Sequence, residues 1–175
     1  MLGQDKPLQL WRDKAMVDHV LDSVPDSLPK LVSANRNLVA YGRRAPVVTD
    51  KDVTAEVLAT TPGPLLGILS GLAVVKTPWL LVSPGDSPNL ANNWIQTMFA
   101  AYRKDKCCVV AHDGIRQQHL HVLLHQSTAV ALSNYLQQGH YQVSKWIETL
   151  NHCTAQFADP SAFRNMNEPQ DLQSD

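Results

Sequence analysis

The sequence predicts an α/β fold of three layers, with a mostly parallel sheet between two layers of helices. Three observations predict it. Short apolar runs alternate with segments of helical periodicity along most of the chain. The run Trp79-Leu80-Leu81-Val82 is apolar without a break, as in a strand covered on both faces. Polar, turn-forming residues follow the predicted strands, and in such sheets ligands bind beyond the carboxyl ends of the strands. The chain has 175 residues, 44% of them apolar, enough for one domain with its own core.

A helix is predicted over 14–23, where Ala15, Val17, Val20 and Leu21 fall near one face and Pro25 ends the pattern. A short strand over 30–34 runs into the polar loop Asn35-Arg36-Asn37, and a second over 46–49 is closed by Asp50. Pro62-Gly63-Pro64 forms a turn that opens a helix over 65–75, since proline suits a first helical turn. The strand over 79–82 ends in Ser83-Pro84-Gly85-Asp86-Ser87-Pro88. A helix over 92–102, strands over 107–111 and 120–124, helices over 128–136 and 143–150, and a last strand over 154–157 complete the alternation. The tail after Asn167 is polar and is expected to fray or form one short helix.

Charge and cysteines narrow the function. Fifteen Lys and Arg against 16 Asp and Glu leave a net charge of -1. That excludes the basic footprint of a general nucleic-acid binder, but not a local phosphate site built from backbone N–H groups and one or two lysines. No apolar run nears the roughly 18 residues needed to span a membrane, and the first residues lack the pattern of a signal peptide. Cys107, Cys108 and Cys153 form neither a CxxC nor an even set, which points to a reducing cytoplasm. Cys107 and Cys108 read as small core residues in mid-strand.

Several residues can carry chemistry, each with a structural alternative. Asp86 follows the most apolar strand in a turn restrained by proline and glycine. Its carboxylate can hold Mg2+ against phosphate oxygens, or it can make an Asx-turn or cap a helix. Pro62-Gly63-Pro64-Leu65-Leu66-Gly67 either lets backbone approach a ligand at a helix N-terminus or is a rigid helix start. Lys6, beside Asp5, offers a cation for phosphates or is a solvated terminal charge. His119 and His121 share a strand face near His125, as metal ligands or as ordinary histidines. Asn35, Arg36, Asp50, Asn165 and Asn167 are further polar residues placed where such sheets bind ligands.

In their order and spacing these segments resemble the bacterial molybdenum cofactor guanylyltransferases, over nearly all of the chain. Met1-Leu2-Gly3-Gln4-Asp5-Lys6 is similar to the family's R-M-G-x-D-K segment without its Arg, and Ser33-Ala34-Asn35-Arg36 to its N-A-N-R loop. Asp50 resembles the acidic residue that closes the third strand. Pro62-Gly63-Pro64-Leu65-Leu66-Gly67-Ile68 resembles P-G-P-L-A-G-[ILM], and Pro84-Gly85-Asp86-Ser87-Pro88 resembles P-C-D-[TM]-P. Residues 114–123 resemble G-x-x-x-Q-P-L-x-A-L, and Asn165-Met166-Asn167-Glu168-Pro169 resembles N-x-N-T-P. Ser33 stands where the family has Asn, His119 where it has Pro, and Glu168 where it has Thr. The family's opening strand and phosphate loop, L-A-G-G-x-x-x-R, have no counterpart here.

The resemblance implies a Rossmann-like nucleotidyltransferase domain over 1–167, incomplete at its N-terminus, with a polar tail over 168–175. It implies transfer of GMP from Mg-GTP to the terminal phosphate of molybdopterin. Lys6 and Asp86 would be the catalytic pair, with Asp86 as the Mg2+ ligand. Lys6, Ser33, Asp50 and Asp86 would contact GTP. Asn35, Arg36, Pro62, Gly63, Asn165 and Asn167 would line the crevice toward the pterin. A molybdoenzyme or its chaperone would be a partner, and no nucleic acid or membrane is expected. Without the opening strand, the chain is expected to be marginally folded and nearly inactive. Two other readings stay open: a related cytidylyl- or sugar-phosphate nucleotidyltransferase, and a non-catalytic remnant that binds a cofactor or a partner.

Overall fold

The computed structural model describes residues 5–53 and 63–163. Residues 1–4, Pro62, Asn165, Asn167 and the tail over 168–175 lie outside the described residues. A 3-10 turn, Lys6–Leu8, leads into an antiparallel hairpin of β1 (Leu10–Trp11) and β2 (Lys14–Ala15). Its two turn residues, Arg12 and Asp13, have φ of 49° and 60°, the left-handed pair that a tight hairpin turn requires. Helix α1 (Met16–Asp22) follows, so the first two residues of the predicted helix instead pair with β1. Then come β3 (Val32–Ser33), α2 (Leu38–Gly42) and β4 (Val47–Val48), with β3 parallel to β4. Residues 51–53 make a helical turn. Helix α3 (Pro64–Val74) opens at Gly63, with Pro64 at the first helical position.

The larger sheet occupies the second half of the chain. Its strands are β5 (Trp79–Val82), β6 (Cys108–His112), β7 (Gln117–His125) and β8 (His152–Gln156), in the order β5-β7-β6-β8. Helix α4 (Trp94–Ala101) links β5 to β6, and α5 (Thr128–Gln137) and α6 (Val143–Thr149) link β7 to β8. Strands β5, β6 and β8 point one way and β7 runs against them. The sheet is therefore mixed, and the short link 113–116 between β6 and β7 accounts for it, because neighbours joined by a few residues pair antiparallel.

Successive side chains of a strand point to opposite faces, and here each face fills its own core. Cys108, Val110, Val122 and Leu124 pack with Leu65, Leu69 and Leu72 of α3, Leu132 and Leu136 of α5, and Trp146 and Ile147 of α6. Val109, Ala111, Leu123 and Ala155 pack on the other side with Trp94, Ile95 and Met98 of α4 and with Phe163. Helices thus cover both faces, the three layers expected.

Two expectations are corrected. Strand β5 is half-buried along its length, although its unbroken apolarity predicts full burial. It is an edge strand, with β7 beside it and no partner on its other side among the described residues. Cys107 does not sit in mid-strand: β6 begins at Cys108, which is buried, whereas Cys107 is half-exposed.

Candidate functional site

The corner around Asp86 is assembled by a close approach that glycine favours. A Cβ on Gly85 would lie 3.1 Å from Pro7 Cβ, tighter than ordinary van der Waals contact. With no side chain at Gly85, the Lys6–Leu8 turn lies directly against the segment leaving β5. Lys6 Nζ then stands 3.4 Å from Asp86 Oδ2, both side chains being partly exposed. The two residues singled out as a catalytic pair are thus brought together by the fold.

The residue before Lys6 fixes this arrangement. Asp5 is nearly buried and faces Arg36 Nε at 3.7 Å. Asn37 Nδ2 donates to Asp5 Oδ2 at 2.9 Å, and the Tyr41 hydroxyl is hydrogen-bonded to the same carboxylate. Burial, then the Asp5 charge and that hydrogen bond, raise the Tyr41 pKa above the ordinary phenolic value. Asp5, Asn37 and Tyr41 were not singled out from sequence. The signal was the adjacency of an acidic residue to Lys6, and it read as a solvated charge.

The remaining candidates join the same stretch of surface. Asn35 Oδ1 accepts from the Asp50 backbone N–H at 2.9 Å, which ties the loop after β3 to the turn after β4. Asp50 is buried. Ser70 of α3 donates to the Thr49 carbonyl at 2.9 Å. Ser33 sits over α3, where a Cβ on Gly67 would fall 2.5 Å from its Oγ. Arg36 is mostly exposed. Gly63 is the extended residue before α3, and among the described residues no atom outside its chain neighbours and the helix's own backbone lies within 4 Å of where a Cβ would sit. A run of contacts therefore leads from Asp50 through Asn35 and its loop to Asp5, Lys6 and Asp86, past the carboxyl ends of β3, β4 and β5.

His119 and His121 differ from one another. His121 is 2% exposed, and neither ring nitrogen has a hydrogen-bond partner among the described residues. Burial holds its pKa down at about 3. His119 is half-buried, and burial lowers its pKa less. Among the described residues no group of three or more His, Cys, Asp or Glu could hold a metal ion, so the pair has no third ligand there. No described helix is long and apolar enough to cross a membrane.

What the corner offers chemically is a carboxylate and an ammonium within reach of one polyphosphate, beside backbone held by Asp5. Residues 1–154 match the MobA-like NTP transferase domain family. A molybdenum cofactor guanylyltransferase of Aliivibrio fischeri is 36% identical over 175 residues, covering 99% of this chain and 87% of that protein. The solved structure of molybdopterin-guanine dinucleotide biosynthesis protein A from Archaeoglobus fulgidus superposes with a TM-score of 0.76 at 16% identity, covering 98% of this chain and 88% of the other. A manganese complex of Rv0371C from Mycobacterium tuberculosis gives a TM-score of 0.66 at 16% identity, covering 98% and 94% of the two chains. The two structures share the fold.

Proposed function

Because the chain belongs to the family of MobA-like NTP transferase domains, we propose that it transfers a guanylyl group from GTP to the terminal phosphate of molybdopterin and releases pyrophosphate. The observation that carries this reading is similarity to named guanylyltransferases along nearly the whole chain. The apposition of Lys6 and Asp86 gives it a chemical centre.

The acceptor is a phosphate monoester, whose second pKa is about 6. At neutral pH it is largely dianionic and needs no general base. One of its oxygens attacks the α-phosphorus of GTP. A new P–O bond forms, the α–β bridging bond breaks, and its electron pair leaves with pyrophosphate. The protein's task is positioning and charge neutralisation. Lys6 supplies a cation to the phosphates. Asp86, a carboxylate with the Lys6 ammonium beside it, fits Mg2+, which binds through one or two carboxylates plus substrate phosphates. Mg2+, when bound, neutralises phosphate charge. Asp50 and the Ser33 loop contact the guanosine in this reading. Asn35, Arg36, Pro62, Gly63, Asn165 and Asn167 line the crevice toward the acceptor.

The test offers molybdopterin with equal GTP, CTP and ATP. The guanine dinucleotide is the expected product, and preferential use of CTP would assign the chain to the cytidylyl branch. Asp86→Asn keeps the shape and removes the charge. It is expected to lower transfer by about 10²–10³ and to abolish the Mg2+ dependence of GTP binding in calorimetry. Equal Mg2+ dependence in both proteins would remove Asp86 from the metal site.

A further inference from the structure

Helix α2 reaches the Lys6–Asp86 corner through the Tyr41 hydroxyl. Of the helix's residues Tyr41 is the buried one, and its ring packs with Ala15 of β2 and Val17 of α1. The hydroxyl leaves that apolar cluster to bond the Asp5 carboxylate. Arg44 fixes the far end of the same helix. Its Nε and Nη2 donate to Asp18 Oδ1 and Oδ2 of α1 at 2.6 and 3.0 Å, and its Nη1 donates to the Ala40 carbonyl at 2.8 Å. A two-point pair of this kind sets direction as well as distance. The short helix is thus held against α1 at one end and presents a hydroxyl to Asp5 at the other.

A nearly buried carboxylate stays charged only where donors surround it. Asp5 has the Tyr41 hydroxyl, Asn37 Nδ2 at 2.9 Å, and Arg36 Nε at 3.7 Å. Arg36 is mostly exposed and stands beyond hydrogen-bond distance, so Tyr41 and Asn37 do most of the fixing. Asn37, with φ of 52°, is the left-handed residue that opens α2, and both donors therefore belong to one element. Asp5 is the extended residue that leads into the Lys6–Leu8 turn. The next side chain in sequence is that of Lys6, whose Nζ stands 3.4 Å from Asp86. Holding the Asp5 carboxylate therefore sets the backbone from which the ammonium extends.

We propose that Tyr41 is a positioning residue for phosphate binding: its hydroxyl, together with Asn37, anchors Asp5 and so fixes the backbone from which the Lys6 ammonium meets phosphate oxygens. That Lys6 meets phosphates rests on the guanylyl-transfer reading. Tyr41 acts through Asp5 and is not itself a contact to the phosphates. Its two parts are separable, because phenylalanine keeps the ring among Ala15 and Val17 and deletes the hydroxyl alone. The competing reading is a hydroxyl that stabilises the fold without bearing on Lys6. The two differ in one respect: a positioning effect on phosphate affinity exists only while Lys6 is present, whereas a general loss of order does not depend on that side chain.

The experiment measures the affinity for pyrophosphate with Mg2+ by calorimetry in wild type, Tyr41→Phe, Lys6→Met and the double variant, with a thermal melt of each. Tyr41→Phe is expected to weaken pyrophosphate binding about tenfold. In the Lys6→Met background the same change is expected to cost no further affinity, while lowering the melt by as much as before. Asn37→Gly keeps the left-handed backbone, removes the other donor and is expected to show the same dependence on Lys6; it decides the matter if Tyr41→Phe does not fold. Wild-type affinity in the folded variant, or an equal loss with and without Lys6, overturns the proposal. So does a folded wild-type chain that binds no pyrophosphate. A chain that shows the dependence on Lys6 but makes no guanine dinucleotide from GTP and molybdopterin would count against the guanylyl reading and would leave Tyr41 in its role.

Discussion

The four-stranded sheet β5–β8 and the paired strands β1–β4 draw on apolar burial and polar ties in different proportions. In the large sheet, strands of four to nine residues run through two apolar cores, and Val109, Val110, Ala111, Val122, Leu123 and Leu124 are wholly buried. Strands β1–β4 have two residues each. The apolar clusters there are small, Trp11 with Met16 and Ala15 with Val17 and Tyr41, and directional polar ties join them: Asp5 to Asn37, Asn35 to Asp50, and Arg44 Nε to Asp18 Oδ1 at 2.6 Å. Apolar burial tolerates local change by collapse, whereas a polar tie is either made or lost. The candidate site draws Lys6, Ser33 and Asp50 from the half richer in polar ties, and Asp86 from the end of the other. Stability and activity should therefore separate by region.

Four substitutions test that separation, in decreasing order of effect. Leu123→Ala opens a cavity in the large sheet and is expected to cost about 2–5 kcal/mol by urea unfolding. GTP affinity should be unchanged while the chain is folded; a large loss of affinity would mean that the two halves are not separable. His121→Leu probes the one orphaned imidazole of that sheet. The folded chain keeps His121 neutral down to about pH 3, while the unfolded chain protonates it near the ordinary value of 6.5. Wild-type stability from this group is thus fully present above pH 6.5 and lost as the pH falls. The variant's advantage in unfolding free energy should grow by about 1.4 kcal/mol per pH unit below that. A constant difference from neutral pH to about pH 5 would mean that His121 is not held neutral.

In the other half, Asp5→Ala removes the acceptor shared by Asn37 and Tyr41 and is expected to cost about 1–3 kcal/mol. Transfer should fall further than stability, because Lys6 loses its anchor. Tyr41 should ionise at lower pH in absorbance titration, with burial still holding it above the ordinary phenol. Since the folded chain retains this proton after the unfolded chain has lost it, wild-type stability declines above about pH 10, and Asp5→Ala should decline less. The smallest effect lies where the halves meet. Alanine at Gly67 gains helix propensity of about 1 kcal/mol but collides with Ser33. Gly67→Ala alone should not stabilise, whereas in a Ser33→Gly background it should gain about 0.5–1 kcal/mol. Equal effects in both backgrounds would show that the contact is slack.

What could be read in advance divides along the same line. The stretch over 79–82, the helix opened by Pro64 and the two helices after β7 were legible because burial stamps long apolar patterns on a sequence. The β1–β2 hairpin was not, since Arg12-Asp13 lacks the glycine or asparagine that marks such turns. Helix α2 escaped because Leu38 and Val39 are exposed and Tyr41 alone of its residues is buried. The direction of β7, and the bulge where its register with β6 shifts between Val110 and Ala111, depend on pairing, which composition does not record. Asp86 and Lys6, which the fold brings together, were singled out through a restrained turn and a local motif. Asp5 was not, because its partners come from a loop distant in sequence. Pro62, Asn165 and Asn167 were named for the crevice and lie outside the described residues.

The bare Cα of Gly85 against Pro7 has a consequence for the order of assembly. It joins the Lys6–Leu8 turn to a segment on the far side of α3, so a long loop must close before Lys6 meets Asp86, and closure entropy grows with loop length. The contact itself offers few atoms with which to offset that entropy, while the sheet beyond it condenses around large apolar side chains. A refolding chain is therefore expected to complete its sheet first and the Lys6–Asp86 corner last, and local opening to visit the same corner first. In the reading proposed above, a nucleotide spanning Lys6 and Asp86 would act on that fluctuation as a clasp. It would favour the closed arrangement in proportion to its occupancy, so that the substrate would help to complete the site that receives it.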